Sequence, residues 1–227
     1  MKILITSGST VVPIDKVRVM KMDISNIFKG KTGLSIANYF CASKENDVTL
    51  IASNVLNSIE IKNERPRLNI YEYKTYWNLY NLMESLIKEN DYDVIIHSAA
   101  ISDYEVKDVC VLNSENNLVS IDNTAKISSS HPELFLRMVQ TPKIVDKIRE
   151  WGFKGKLIKF KLQVDISDEQ LIEIAEKSRI DSNADAIVAN CLEWSNERAY
   201  IISGKNIYDT TREKLPQNIE KFIMTYL

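Results

Sequence analysis

The feature that most constrains this chain is its alternation of short Ile-, Val- and Leu-rich runs with longer amphipathic stretches. Such runs suit strands buried on both faces, and the segments between them suit helices that cover those faces. Strands are expected near Lys2-Thr6, Asp47-Ala52, Arg67-Tyr73, Asp93-Ser98, Lys156-Val164, Ala184-Ala189 and Arg198-Ser203. Helical periodicity appears at Gly33-Lys44, Tyr76-Lys88, Pro142-Trp151, Asp168-Ser182 and Glu213-Leu227. The implied class is α/β, a Rossmann-like, doubly wound, mostly parallel sheet flanked by helices. No linker or internal repeat divides the chain, so residues 1–227 read as one domain. Residues 104–140 have little periodicity, and a long irregular segment in a compact domain is functional or mobile. They read as a segment containing an active-site flap.

Charge narrows the range of partners. Lys and Arg total 29 against 31 Asp and Glu, which disfavours a cationic nucleic-acid binder. The three cysteines, Cys41, Cys110 and Cys191, are far apart and match no zinc or C-x-x-C spacing, so they read as reduced thiols. No run approaches the ~20 apolar residues of a membrane span, and Met1 leads directly into the first strand without a secretory pattern. The expectation is a cytoplasmic protein with small-molecule ligands and neither nucleic acid nor membrane as partner.

In a doubly wound sheet, ligands bind beyond the carboxyl ends of the strands, where strand order reverses. The segments to inspect are therefore Ser7-Gly8-Ser9-Thr10, Ala99-Ala100-Ile101-Ser102-Asp103 and Asn190-Cys191-Leu192-Glu193. Glycine is scarce at six residues, and three of them, Gly8, Gly30 and Gly33, fall early in the chain. Gly8 would let the backbone approach a phosphate, with Ser and Thr hydroxyls as neutral donors, although a tight polar turn explains it equally well. Gly30-Lys31-Thr32 resembles the end of a Walker A loop, but Ser25 stands where the first glycine is needed. A helix N-terminus there still offers free N–H groups to an anion.

Other groups read both ways. Ala99 and Ala100 leave room for a flat ring or a ribose, while Asp103 could orient a hydroxyl or a cation or simply close a turn. His97, inside a strand, reads as a packed core histidine. Lys126, followed by Ser128, Ser129 and Ser130, could neutralise a transferring phosphate or be merely solvated. A dinucleotide-dependent reductase is the competing class, using NAD(P) or flavin on the same kind of sheet, but no G-x-G-x-x-G follows the first strand.

Taken in order, the fragments resemble the phosphopantothenate cysteine ligase family. The family's T-S-G-G-T is met by Thr6-Ser7-Gly8-Ser9-Thr10, with serine for the second glycine, and its I-D-x-V-R by Ile14-Asp15-Lys16-Val17-Arg18. Ile24-Ser25-Asn26 with Gly30 and Gly33 is similar to I-T-N-x-x-x-G-x-x-G, and Ala99-Ala100-Ile101-Ser102-Asp103-Tyr104 to A-A-V-x-D-Y. Lys126-Ile127, Phe160-Lys161-Leu162 with Asp165, and Val188-Ala189-Asn190 complete the set. The chain departs from the pattern by about four extra residues around Val19-Met20-Lys21-Met22-Asp23, by Cys191 after Asn190, and by Lys159 in place of a small residue.

The resemblance implies a ligase of coenzyme A biosynthesis. The 4′-phosphopantothenate carboxylate is activated by CTP (or ATP) as an acyl nucleotidylate with Mg2+ present, and cysteine then displaces the nucleoside monophosphate. It further implies that Lys126 and Asn26 are catalytic. Gly8, Ser9, Thr10, Ala99, Ala100, Asp103, Lys126, Phe160 and Lys161 would bind the nucleotide, and Arg18, Asn26, Gly30 and Gly33 the acyl substrate. The metal ligands are left open. Lys159 is expected to crowd the nucleotide or reach its phosphates. A homodimer is implied, with a separate decarboxylase acting on the product; a diverged, non-catalytic nucleotide-binding relative is the other alternative.

Overall fold

The computed structural model describes residues 1–20, 30–53 and 67–226. Asn26, the turn before Gly30 and most of the extra segment lie outside the described residues.

Eight strands form the main sheet. β1 (Lys2–Ser7), β4 (Asp47–Ala52), β5 (Leu68–Glu72), β6 (Val94–His97), β10 (Lys156–Gln163) and β11 (Ala186–Cys191) run parallel, and β12 (Arg198–Ser203) and β13 (Asn206–Thr211) add antiparallel to one side. The order β13-β12-β11-β10-β6-β1-β4-β5 places β1 at the reversal, with β4 on one side and β6 on the other. The crevice over β1 and β6 is thus the topological switch point.

Side chains of successive strand residues point to opposite faces, which divides the core into layers. Ile3, Ile5, Ile96, Ile158 and Val188 pack against α1 (Lys31–Cys41) and α5 (Leu215–Tyr226), through Ile36, Phe40, Ile219 and Ile223. Leu4, Ile51, Ile95 and Leu157 face α2 (Tyr76–Glu89) and α3 (Ile144–Glu150), through Leu79, Met83 and Ile148. Leu171 and Ala175 of α4 (Asp168–Asp181) cover Ile187, Ala189 and Ile202. Capping boxes open α2 at Thr75 with Asn78 and α4 at Ser167 with Gln170, so both crossovers begin at defined residues.

Residues 104–140 are more regular than their sequence suggests. β7 (Tyr104–Leu112) pairs antiparallel with β8 (Leu118–Ile121) and β9 (Phe135–Gln140) in a separate three-stranded sheet. A short hairpin, β2 (Val12–Pro13) with β3 (Val19–Met20), adjoins β7. The segment that stays irregular is the connection between β8 and β9, which carries Lys126. Cys41 and Cys110 are half-buried and Cys191 is buried, and none of the three is in a disulfide among the described residues.

Candidate active site

Hydrogen bonds tie the loops after β1 and β6 together. Ala100 N–H donates to Gly8 O at 2.8 Å, and Thr10 N–H returns to Ala100 O at 3.1 Å. Thr10 Oγ1 accepts from Ser102 N at 2.9 Å, and Thr6 Oγ1 accepts from Ala99 N at 3.1 Å. The buried Thr6 and Thr10 side chains therefore fix one loop against the other. Ser9 N–H is engaged by Ser53 Oγ at 3.0 Å. Gly8 takes φ 91°, and a Cβ there would stand 2.0 Å from Ser53 Oγ, so the sharp turn requires glycine.

The start of α1 docks against this pair of loops. Ser7 Oγ donates to Gly30 O at 2.8 Å, and a Cβ on Gly30 would lie 3.0 Å from Gly8 N. Gly30 is the N-cap in the left-handed region; it provides no capping side chain, and the first turn has no acidic residue. The opening N–H groups of α1 thus face the switch point without an intrahelical partner.

A cavity of about 130 Å³ fills the crevice. Gly8, Gly30, Gly33, Ala99, Ala100, Phe160 and Lys161 line it, together with Asn190 and Arg212. A second cavity of about 170 Å³ shares Ala99, Phe160 and Lys161 and adds Asp103, His97, Lys143 and Lys159. The glycine turns, the alanine pair and the β10 residues expected from sequence are therefore brought to two adjoining cavities at the ends of β1, β6 and β10. Asn190, next to last in β11, lies in a segment marked from sequence for inspection but without an assigned role, and Arg212 carries no sequence signal.

The Lys126 loop is anchored to the β2–β3 hairpin. Asp15 Oδ1 accepts from Val17 N and Arg18 N at 2.7 and 2.6 Å, and Asp15 Oδ2 accepts from Ile127 N at 3.1 Å. Arg18 Nη2 donates to Ile127 O at 3.1 Å, and Arg18 Nη1 lies 3.5 Å from Asp15 Oδ2. Burial opposes ionisation of Asp15, but these N–H donors and Arg18 outweigh it and hold the carboxyl below its ordinary pKa. Arg18, expected to bind substrate, is placed with its guanidinium on Ile127, while the adjacent Lys126 side chain is exposed and lines neither cavity. Asp15 is the residue that sequence reading left without a role; its Asp-x-x-Arg spacing is the signal for the clamp.

His97 is buried beside Thr6, with Nδ1 3.0 Å from Thr6 Oγ1. Burial, and then the charge of Lys159, pushes its pKa down to about 4, so it stays neutral near pH 7. Lys159 Nζ donates to Ser178 O at 2.9 Å, Ser178 Oγ at 3.1 Å and Ser182 Oγ at 2.6 Å. These bonds turn the ammonium toward the end of α4, while the residue itself borders the second cavity. Its pKa is pushed down to about 8, chiefly by burial.

Residues 1–220 match the DNA/pantothenate metabolism flavoprotein C-terminal domain family. The chain belongs to this family. It is 31% identical over 220 residues to the coenzyme A biosynthesis bifunctional protein CoaBC of Thermococcus kodakarensis, and 31% identical over 191 residues to that of Methanocaldococcus jannaschii. It covers 47% and 40% of those proteins, so it spans less than half the length of these curated relatives. The crystal structure of the DNA/pantothenate metabolism flavoprotein from Streptococcus pneumoniae superposes with a TM-score of 0.82 at 30% identity, over 100% of both chains. The same fold is present in a Cab2 variant in complex with phosphopantothenate-cysteine, at 17% identity and TM-score 0.73 over 97% of this chain and 85% of that one. Among the described residues, no helix is long and apolar enough to cross a membrane.

Proposed function

We propose that this chain joins 4′-phosphopantothenate to cysteine in coenzyme A biosynthesis. The substrate carboxylate attacks the α-phosphorus of CTP or ATP, the bond to the bridging oxygen breaks, and pyrophosphate leaves. The cysteine amine then attacks the acyl carbon, loses a proton, and releases the nucleoside monophosphate as the amide forms. The observation that carries this reading is the convergence of the β1, β6 and β10 termini with the uncapped start of α1 around one crevice, in a member of this family.

In this reading the bare backbone at Gly8 and the α1 N-terminus accept the phosphate chain, where N–H dipoles act without a counter-ion of their own. Ala99, Ala100 and Phe160 give the flat, apolar lining that a base or ribose requires. Lys161 supplies charge from β10, Lys126 descends on the activated phosphate from its clamped loop, and Asn26 meets the acyl group in the second step. Among the described residues, no cluster of three or more acidic, histidine or cysteine side chains offers a metal cage. That fits magnesium carried mainly by nucleotide oxygens and water, with exposed Asp103 as the carboxylate that would hold it. Bound there, the ion would offset the phosphate charge.

One face of the three-stranded sheet exposes Leu112, Leu118 and Phe135, an apolar patch that suits a homodimer. A cytoplasmic location and a separate decarboxylase for the product belong to the same reading. The test is pyrophosphate release from CTP or ATP with each substrate supplied in turn. Release that depends on phosphopantothenate, with monophosphate release on adding cysteine, is expected; release of neither product with either nucleotide refutes the proposal.

A further inference from the structure

Arg212 lies where β13 gives way to α5, and its backbone N–H donates to Glu197 O at 2.8 Å. Its side chain lines the crevice with Gly8, Gly30 and Gly33, and also an adjoining cavity of about 290 Å³ with Lys31 and Ser35. Arg212 therefore borders both cavities. Nη2 donates to Thr32 Oγ1 in the first turn of α1. Nη1 is buried and has no hydrogen-bond partner, alone in this among the buried side-chain polar atoms of the described residues. No described carboxylate lies within ion-pair distance of Arg212 either.

A desolvated guanidinium with an idle donor is costly unless an acceptor arrives, and burial alone already lowers its pKa. Nη1 carries two N–H donors, and a charged phosphate oxygen accepts a stronger hydrogen bond from a guanidinium than a neutral hydroxyl does. The neighbouring start of α1 presents further N–H donors and no acidic side chain to compete.

We propose that Arg212 binds a phosphate group of a substrate in the crevice, through Nη1, while Thr32 fixes the other arm of the fork. The chemistry is that of a phosphate dianion or polyphosphate; it belongs either to the nucleotide chain or to the 4′-phosphate of the acyl substrate. The inference rests on the ligase reading for the identity of those two molecules.

The experiment compares the full chain with its Arg212→Gln and Arg212→Lys variants, using inorganic tripolyphosphate binding and the KM of each of the three substrates. Arg212→Gln is expected to weaken tripolyphosphate binding or to raise the KM of one phosphate-bearing substrate at least tenfold. The KM of cysteine stays within twofold, and Arg212→Lys recovers part of the loss. A raised nucleotide KM with weakened tripolyphosphate binding assigns the site to the nucleotide chain; a raised phosphopantothenate KM alone assigns it to the 4′-phosphate. Unchanged binding and KM values overturn the inference, as does a loss accompanied by a lowered melting temperature in both variants. If the wild-type chain turns nothing over, the ligase reading fails, and tripolyphosphate binding still decides the role of Arg212.

Discussion

Replacing Gly33 by alanine tests how closely the β1–β6 crevice, proposed to hold the nucleotide, depends on the approach of α1 to the sheet. The added Cβ would stand 2.6 Å from Ser7 Cβ, 2.8 Å from Ser98 Oγ and 2.8 Å from Thr6 O. Ser98 can turn away at the loss of its 2.5 Å bond to Thr6 O, but the β1 atoms cannot yield. Relief requires the first turn of α1 to retreat by roughly 0.8 Å or more, to reach ordinary carbon contact distances. Overpacking of this kind costs about 1–3 kcal/mol, whereas alanine gains at most about 1 kcal/mol of helix propensity over glycine. The net expectation is about 1–2 kcal/mol of destabilisation, a fall in Tm of about 3–6 °C for a chain of this size. The retreat also carries Gly30 away from Gly8, so kcat/KM for the nucleotide should fall about tenfold or more, the scale of a small misplacement. Thermal unfolding by circular dichroism and steady-state kinetics read the two effects, with Ser35→Ala on the exposed side of α1 as the control expected within about 1 °C of wild type. An unchanged or raised Tm with full activity in Gly33→Ala would refute the close-approach argument.

Lys126→Gln should lower phosphopantothenate-dependent pyrophosphate release by about 10²–10³-fold and leave stability within about 0.5 kcal/mol, because the side chain is exposed; near-normal turnover removes it from the mechanism. His97 stays neutral in the folded chain down to about pH 4 while its unfolded counterpart binds a proton near pH 6.5, so its contribution to stability is lost as pH falls through that window. Urea titrations should show about 2 kcal/mol lost between pH 7.5 and pH 5 from this residue, and His97→Gln should flatten that slope; an equal slope in both proteins contradicts the assignment. Leu118, 58% exposed on β8, should sit in the proposed homodimer contact, so the wild-type chain should sediment as a dimer and Leu118→Glu as a monomer; a wild-type monomer refutes the dimer, and an unshifted dimer places the interface elsewhere.

The parts of the fold that sequence made legible are those whose chemistry is local. β1 is buried along nearly all its length and is apolar through Ile3, Leu4 and Ile5, because both faces are covered. β7 and β13 escaped notice for the opposite reason: they leave much of their length exposed, so polar and apolar residues mix and no period of two survives. Their pairing depends on partners distant in the chain, and that information is not local. The same contrast holds at the site. Gly8 and Ala99 are readable as residues just beyond strand ends, Phe160 as an interior residue of a recognisable strand, and Gly33 through its place at the opening of a helix. Arg212 follows a strand that composition does not reveal, and the packing of α5 against α1 is what brings it there. Asp15, Arg18 and Ile127 meet across more than a hundred residues, so the clamp beneath Lys126 is a tertiary property.

In the proposed reaction a carboxylate is activated by direct attack on the α-phosphate at the β1–β6 crevice. Phosphopantothenate labelled with 18O in its carboxylate tests this most directly, by mass spectrometry of the released nucleotide. Direct attack gives nucleoside monophosphate carrying one 18O in its phosphate, formed with pyrophosphate. Formation of nucleoside diphosphate and labelled inorganic phosphate, or of unlabelled monophosphate, would contradict it.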